Sequence, residues 1–510
     1  MATQPEGRGM FDKSARDHKV VIIGSGFGGQ CAAINLSKRG IEDYVLLERR
    51  SFSGGTWRQN TYPGAAVDVQ SPLYSISHEP YAWSQMFAEG DELCEYTEMV
   101  AKKHRIDERT ILDAQVEEID WQDDHWLVRT TQGDFNAKFV INATGPLSTP
   151  VVPDFKGRET FAGEQFHTND WNHDYDYRGK KVAIVGSGAS AAQVIPTIQP
   201  DVGELHVFQR TPHWALPRPD RKFTAFQRKL LGNKLVHRAV RTAIYWALET
   251  RIIAFKYSPF ALKLYGQRRA EKMLRKQVPD PQLRAKLTPD YTIGCKRILV
   301  TNDLYPALQA GNTTLHDKTD PIAEVTPAGI VTANGEKLDL DLIIWATGYD
   351  ATDNPIHQKI VGKDGKPITE YWSEYARAYL GTSVPGFPNF FLTIGPNTGI
   401  GHTSAIFIIE AQMEYMMRAI EAADKTAAGT IEVRQAAEEK YTEHIHEEMK
   451  KTVWYHGGCN SWYKSSTGKV IAMYPGFSFV YRMKCKDFKP GDHLIGVASP
   501  TAVTVAATSS

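Results

Sequence analysis

Two glycine-rich turns constrain this chain more than any other feature. The first, Gly24-Ser-Gly26-Phe-Gly-Gly29, follows the β-branched run Lys19-Val-Val-Ile-Ile-Gly24 and opens an Ala/Leu/Ile-rich segment, 30–39, that Gly40 stops. The run Asp43-Tyr-Val-Leu-Leu-Glu48 closes the unit. The second, Gly186-Ser-Gly188-Ala-Ser-Ala191, follows Lys181-Val-Ala-Ile-Val-Gly186 and opens a helix to about Ile198, and Glu204–Arg210 closes it. A short apolar run ending in glycine reads as a buried parallel strand, so each turn sits inside a βαβ unit. The first glycine permits the tight turn and the second lets backbone approach a pyrophosphate. The third position must be small for helix–strand packing, so Ala191 can replace glycine there. The phosphates then lie at the positive end of the helix. One such motif is weak evidence; two, each in strand–turn–helix context, predict two dinucleotide-binding domains.

The copies differ where they would choose a ligand. Glu48 lies 24 residues after Gly24 and Arg210 lies 24 residues after Gly186. A carboxylate at that strand end accepts hydrogen bonds from a ribose 2′-OH and repels a 2′-phosphate; a guanidinium pairs with the 2′-phosphate. The first unit therefore suits FAD or NAD and the second suits NADPH. Two further runs, Phe139-Val-Ile-Asn-Ala-Thr-Gly145 and Leu342-Ile-Ile-Trp-Ala-Thr-Gly348, read as late strands returning to each nucleotide, with glycine allowing close approach. Their spacing suggests that one domain is nested in the other.

The chain has 510 residues, 59 Lys+Arg against 59 Asp+Glu, 42% apolar and 23% charged residues. Those proportions are globular and give no global attraction for nucleic acid. The most apolar helical stretch, Ala243 to Phe255, is interrupted by Glu249 and Arg251, so no membrane-spanning helix is expected. The five cysteines (Cys31, Cys94, Cys295, Cys459, Cys485) form no CxxC pair, which argues against a redox dithiol or a cysteine metal site. No metal-ligand set is expected. Residues Met1–Lys19 lack the apolar core of a signal peptide, and a reduced, cytoplasmic location is the default. The tail Pro500–Ser510 reads as loose.

Between Arg221 and Lys276 the composition shifts to 15 Lys/Arg against Glu249 and Glu271. Leu231, Leu235, Val240, Ile244 and Leu248 recur at helical spacing, which predicts a basic helical insert with one apolar stripe. It is a solvated face, a peripheral contact with an anionic membrane, or a channel for an anionic cofactor. The loop Gly395–Ser404 precedes an apolar helix and could set backbone N–H groups at a flavin carbonyl. The stretch Tyr455-His-Gly-Gly-Cys-Asn-Ser-Trp462-Tyr reads as a mobile loop rather than core.

Several ordered motifs carry a resemblance. Phe161-Ala-Gly163-Glu-Gln-Phe-His167-Thr-Asn-Asp-Trp171 fits F-x-G-x-x-x-H-x-x-x-W and resembles the fingerprint of the Baeyer–Villiger monooxygenases, class B flavin monooxygenases. The family usually has Pro or Asp after the tryptophan; here it is Asn172. Gly54-Gly55-Thr56-Trp57, Tyr62-Pro63-Gly64 to Asp68, Gln209-Arg210-Thr211-Pro212 and Gly294-Cys-Lys296-Arg297 match as well. The resemblance runs from about Lys19 to Leu494. It implies an α/β chain with two Rossmann-like domains, for FAD and NADP, and an inserted helical subdomain. The expected boundaries are FAD domain 15–150, NADP domain 151–217, helical insert 218–290, NADP domain 291–344, FAD domain 345–498 and tail 499–510.

It further implies that NADPH reduces FAD, that a C4a-peroxyflavin forms with O2, and that this attacks a ketone to give an ester or lactone. Arg297 would be the catalytic cation and Asp68 its anchor. Gly24, Gly26, Phe27, Gly29, Glu48, Thr56, Trp57, Asp68, Tyr74 and Val116 would hold FAD. Gly186, Ser187, Gly188, Ser190, Gln193, Arg210, Thr211, Lys296, Arg297 and Trp462 would hold NADP, with Trp462 folding over it. Oxidation of sulfur, nitrogen or an alkyl chain is the alternative; an NADPH–flavin reductase or a sensor is the next. The substrate would be a lipophilic small molecule.

Overall fold

The computed structural model describes residues 12–352, 356 and 358–497; the tail expected at 499–510 lies outside them. The strand Asp17–Ile23 forms because Val20, Val21, Ile22 and Ile23 are all buried, on both faces of a sheet. It pairs in parallel with Tyr44–Leu47 on one side and Phe135–Asn142 on the other. The helix Phe27–Lys38 crosses between the first two strands. A Cβ at Gly29 would lie 2.0 Å from the Gly24 carbonyl oxygen, so this position admits only glycine. The strands Val116–Gln122 and His125–Thr130 extend the sheet as an antiparallel meander. Two strands from far along the chain complete it. Phe390–Leu392 pairs with Phe135–Asn142, and Lys359–Val361 pairs with Val116–Gln122.

The second sheet is parallel throughout, in the order Thr313–His316, Glu204–Phe208, Lys181–Val185, Leu342–Trp345, Glu164–His167. It lies in sequence between the two portions of the first sheet, so the second unit is nested in the first. Each Ala-Thr-Gly run follows a strand that returns beside its own glycine turn. The close approach is made by other residues than expected. A Cβ at Gly24 would meet the Ala143 carbonyl oxygen at 2.7 Å, and one at Gly186 would meet that of Ala346 at 2.2 Å. Gly145 and Gly348 have no atom near a would-be Cβ; they are glycines because their φ angles are +72° and +89°.

The insert is helical, with Lys234–Glu249 as its longest element. Four positions of the expected stripe face the core, Leu231 and Leu248 buried and Val240 and Ile244 packed against them, but the fifth does not. Leu235 is 77% exposed, and the buried face carries His237, Arg241, Tyr245, Leu248 and Glu249. Asn233 explains the change of phase: its side chain accepts from the Leu235 and Val236 amides, capping a new helix rather than continuing Ala225–Leu231. Arg241 is buried because its guanidinium donates to the Leu73 and Ser75 carbonyls at 2.7 and 2.6 Å and pairs with Glu410 at 3.1 Å.

The cysteines hold no CxxC pair, as read from the sequence, but two of them form a long-range bond. Cys295 and Cys459, 164 residues apart, are joined by a disulfide with Cα atoms 6.1 Å apart; Cys31, Cys94 and Cys485 are free. The fold brings the two together from distant loops, so no local spacing betrays the pair.

Candidate active site between the two nucleotide units

Asp68 and Arg297, 229 residues apart, meet where the two units face each other. Arg297 Nε donates to Asp68 Oδ2 and Nη2 to Oδ1, each at 2.6 Å, a bidentate fork. The side chains keep 41% and 29% exposure, so the pair lines an open cleft. Burial alone would raise the Asp68 carboxyl, but the charge and hydrogen bonds of Arg297 outweigh it and hold it below its usual value. Asp68 in turn raises the guanidinium further, so the cation is permanent.

The loop carrying Asp68 is docked onto the second unit. Gly64 (φ +83°) has no room for a side chain, since a Cβ would fall 2.3 Å from Thr197 Oγ1 and 2.7 Å from the Gln193 carbonyl oxygen. Tyr62 Oη donates to Gln193 Oε1 at 2.8 Å, and Gln193 Nε2 donates to the Ala66 carbonyl at 2.8 Å. Ser190, on the same helix turn, also faces Tyr62. Gln193, expected at NADP, thus spends both ends of its amide bridging the units. Asp68 is placed by the helix that follows the second glycine turn.

On the first-unit side, Trp57 Nε1 donates to Tyr74 Oη at 3.3 Å, and the Tyr74 ring meets Trp57 and Phe27 edge-on, each at 5.8 Å. Tyr74 lies within electrostatic reach of Asp68 and Arg297. Thr56 is exposed one residue before Trp57. Glu48 is buried at its strand end, where it accepts from the Ser25 amide and hydroxyl at 3.0 and 2.7 Å and from the Arg50 amide at 3.1 Å. Oε1 keeps further acceptor capacity. Val116 stands apart, its side chain buried in the core among Val21, Val45 and Leu47.

On the second-unit side, Gly188 has open space around it. Ser187 Oγ donates to the Thr211 carbonyl at 2.7 Å, tying the turn to the Arg210 strand end. Arg210 is exposed and close enough to Lys296 to depress its ammonium, after burial, which acts more strongly. Burial first, then the Lys296 charge, push the His213 imidazole down to about 4. The two cations lie close together without a salt bridge among the described residues, which leaves their positive charge available to an anion.

Trp462 is 43% exposed and meets the Tyr463 ring at 4.6 Å. Its loop is not the free segment expected. Cys459 is bonded to Cys295, the Thr292 amide donates to the Gly457 carbonyl at 3.0 Å, and Tyr463 is buried beside Arg297. The sequence motifs contain Tyr62 and Tyr463 but assign neither a role, because their contacts with Gln193 and Arg297 are long-range.

Of the fingerprint residues, His167 lies at the joint between the units, Phe161, Gly163 and Trp171 pack inside the second unit, and none enters the Asp68–Arg297 cluster. Phe161 and Trp171 are buried. A Cβ on Gly163 would clash with the Asp341 carbonyl oxygen at 2.6 Å. His167 Nδ1 accepts from the Asn169 amide at 3.0 Å, and burial pushes its imidazole down to about 4, so it is neutral. Beside it, Tyr349 Oη donates to Asn60 and Asn169 Oδ1, each at 3.0 Å. Asn172 donates to Glu164 Oε1 at 2.9 Å and accepts from the Asp174 amide at 3.0 Å, a turn-forming role that Asp would share in part. Away from the cleft, His316, Asp320 and Glu336 bring ligand atoms within 4.8 Å of one another.

The residues present fit dinucleotides. Gly26 and Gly55 are back to back, a Gly55 Cβ reaching within 2.6 Å of Gly26 Cα, so loop and turn leave a side-chain-free cradle. Asn142 Nδ2 is buried without a partner at the same sheet edge.

A family model described as pyridine nucleotide-disulphide oxidoreductase matches residues 21–225. That span holds Cys31 and Cys94, both free thiols, and no disulfide. A Baeyer–Villiger monooxygenase of Pseudomonas aeruginosa is 41% identical over 495 residues, covering 96% of this chain and 92% of the relative. One of Streptomyces coelicolor is 39% identical, covering 95% and 94%. A crystal structure of OTEMO in complex with FAD and NADP superimposes with a TM-score of 0.83 at 27% identity, covering 92% of this chain and 97% of the other.

Proposed function

The chain belongs to the Baeyer–Villiger monooxygenases, and from that premise we propose that it inserts one oxygen atom of O2 beside a ketone carbonyl to give an ester or lactone. It is an FAD-containing, NADPH-dependent monooxygenase. Bound FAD, reduced by NADPH, supplies the activated oxygen. The observation that carries the proposal is the bidentate Asp68–Arg297 pair, an obligate cation fixed in the cleft between the two nucleotide units.

The protein's own contribution follows from that geometry. Arg297 can donate to an oxyanion that develops on the substrate carbonyl, and its charge does not depend on pH in the working range. Asp68 fixes the plane of the fork, so no reorientation is required as charge develops. Trp57 and Tyr74 give the cleft an aromatic wall, and Tyr463 and Trp462 close the side above Arg297, limiting water. Gly24, Gly26 and Gly29 with Glu48 would hold the adenosine diphosphate part of FAD. Gly186, Gly188, Arg210, Thr211 and Lys296 would hold NADP. A panel of cyclic, linear and aromatic ketones, with thioethers alongside, tests the reading. Ketones should gain sixteen mass units as esters in step with NADPH consumption. Oxidation of thioethers alone would replace the ketone assignment with the heteroatom one.

Arg210 facing Lys296 sets the cofactor preference. A charge-assisted contact to the 2′-phosphate contributes about 1.5–3 kcal/mol, or about tenfold to a hundredfold. Arg210→Ala should raise the KM for NADPH by that factor and leave NADH nearly unchanged. Equal losses for both would place the 2′-phosphate elsewhere.

Contact with an anionic membrane is a second reading for the insert. No described helix is long and apolar enough to cross a membrane, yet Phe226, Phe260 and Tyr265 are 70%, 72% and 74% exposed on the basic subdomain. Sedimentation with phosphatidylglycerol vesicles should then be strong at low salt and weaken as salt rises; absence of pelleting at low salt rejects it.

A further inference from the structure

A cavity of about 830 Å³ lies outside the cleft, between the insert helix Lys234–Glu249 and the helices Ala405–Asp424 and Ser478–Lys486. That volume is in the range of small-molecule sites. Asp68, Arg297, Trp57 and Trp462 do not line it.

Its lining is polarised. Lys234 and Arg238 come from the start of one helix, and Lys486 from the end of another. At the opposite ends of the same helices, Tyr245 Oη hydrogen-bonds Ser478 Oγ at 2.9 Å, and the Trp246 ring meets Phe479 at 5.7 Å. Tyr245 also stacks on Phe407 at 4.7 Å. Lys234 and Arg238 stand at the far end of their helix from this contact, whereas Arg482 lies at the aromatic end, its guanidinium 5.5 Å from the Phe407 ring. From Lys234 to Trp246 is twelve residues, about 18 Å of helix. The end at Lys234 and Arg238 therefore offers unpaired positive charge, and the other offers aromatic surface beside an arginine already paired with Glu414.

The charge is uncompensated. Glu410 is the one carboxylate in the lining, and it already accepts from the Ser77 amide at 2.7 Å and pairs with Arg241 at 3.1 Å. Arg482 shares Glu414 at 3.3 Å. Lys234, Arg238 and Lys486 have no ion-pair partner among the described residues. Nor is the apolar part covered: Leu235, Trp246 and Met483 on the lining are 77%, 51% and 55% exposed. Surface of this kind is left open at a cost that a bound apolar chain would remove.

We propose that this cavity binds an anionic amphiphile, its carboxylate held by Lys234 and Arg238 and its hydrocarbon chain running toward Trp246 and Phe479. The site is separate from catalysis but joined to it. Arg241, on the cavity wall, holds the carbonyls of Leu73 and Ser75, the residues on either side of Tyr74 in the cleft.

Calorimetric titration of the holoenzyme tests this with sodium dodecanoate kept below its aggregation concentration, 1-dodecanol, acetate, and phosphatidylglycerol vesicles. Dodecanoate should bind with one-to-one stoichiometry, at least tenfold more tightly than dodecanol, and acetate should not bind. The double variant Lys234→Ala/Arg238→Ala should weaken dodecanoate at least tenfold and narrow its advantage over dodecanol. Trp246→Ala should weaken both chains. All three side chains are at the surface, and an unchanged melting midpoint shows that the variants fold. Ketone turnover measured on the same variants keeps this outcome separate from that of the oxygenation reading, since neither variant touches the cleft. Equal affinity for acid and alcohol, dodecanoate binding unaffected by the variants, or binding to vesicles with none to monomeric dodecanoate would each overturn the proposal.

Discussion

Arg297→Ala should lower ester formation by about 10²–10³, the loss seen when one preorganised oxyanion donor is removed, while NADPH is still bound and oxidised. The expected size follows from what the substitution takes away. The fork to Asp68 is exposed enough to the cleft that water can replace it, so the variant should fold and retain both nucleotides. Only the fixed positive charge is lost. Arg297→Lys restores charge without the planar fork and should recover part of the activity, because an ammonium cannot hold both Asp68 oxygens and the substrate in one geometry. Asp68→Ala should leave the guanidinium charged but free to rotate, with a smaller loss than Arg297→Ala. The double variant should be no worse than Arg297→Ala, since Asp68 acts through its partner. Rates of ester formation and of NADPH oxidation, measured separately, decide the matter. Full ester formation in Arg297→Ala would remove this residue from the mechanism.

What could be read in advance was whatever is written locally. The glycine at 29 is dictated by a backbone oxygen 2.0 Å from where a Cβ would be, and that requirement is visible as a spaced glycine after a β-branched strand. Glu48 and Arg210 were legible for the same reason: a strand end at a fixed distance from a turn. The site itself depends on long-range placement. Nothing in the sequence brings Asp68 to Arg297 across 229 residues; the resemblance supplied that pair, and the docking of Tyr62 and Gly64 on Gln193 explains it. Leu235 misled because helical spacing says which residues share a face, not where the neighbouring helix breaks and resets that face. His237 and Arg241 took the buried positions because backbone carbonyls and Glu410 satisfy them there, an arrangement that hydrophobic periodicity does not register. The fingerprint was legible as a pattern and silent about its place. Only the structure shows that His167 lies beside Tyr349 at the joint and that Trp171 packs on Phe166 and Tyr177 inside the second unit, neither of them among the Asp68–Arg297 groups.

The disulfide, which no local spacing signals, carries the strongest stability prediction. Closing a loop of 164 residues restricts the unfolded chain by about 5 kcal/mol in the chain-entropy account, and about 2–5 kcal/mol is the usual yield. Cys295→Ser, Cys459→Ser and the double variant should therefore unfold at the same lowered midpoint, because each removes the one bond. Reductant should bring the wild-type protein down to that midpoint and leave the variants unmoved. Alkylation of the denatured, unreduced chain should label three of the five thiols, Cys31, Cys94 and Cys485, and all five after reduction. The effect should also reach the cleft. Cys295 directly precedes Lys296 and Arg297, and Cys459 lies three residues before Trp462 and four before Tyr463, which is buried beside Arg297. Cutting the tether leaves that corner held by the Thr292–Gly457 hydrogen bond and the packing of Tyr463. Limited proteolysis should then cut the 455–463 segment faster, and the ratio of ester formed to NADPH oxidised should fall while NADPH affinity changes little. Five labels without reduction would show that the two cysteines are thiols in solution, and the corner would owe its order to packing alone.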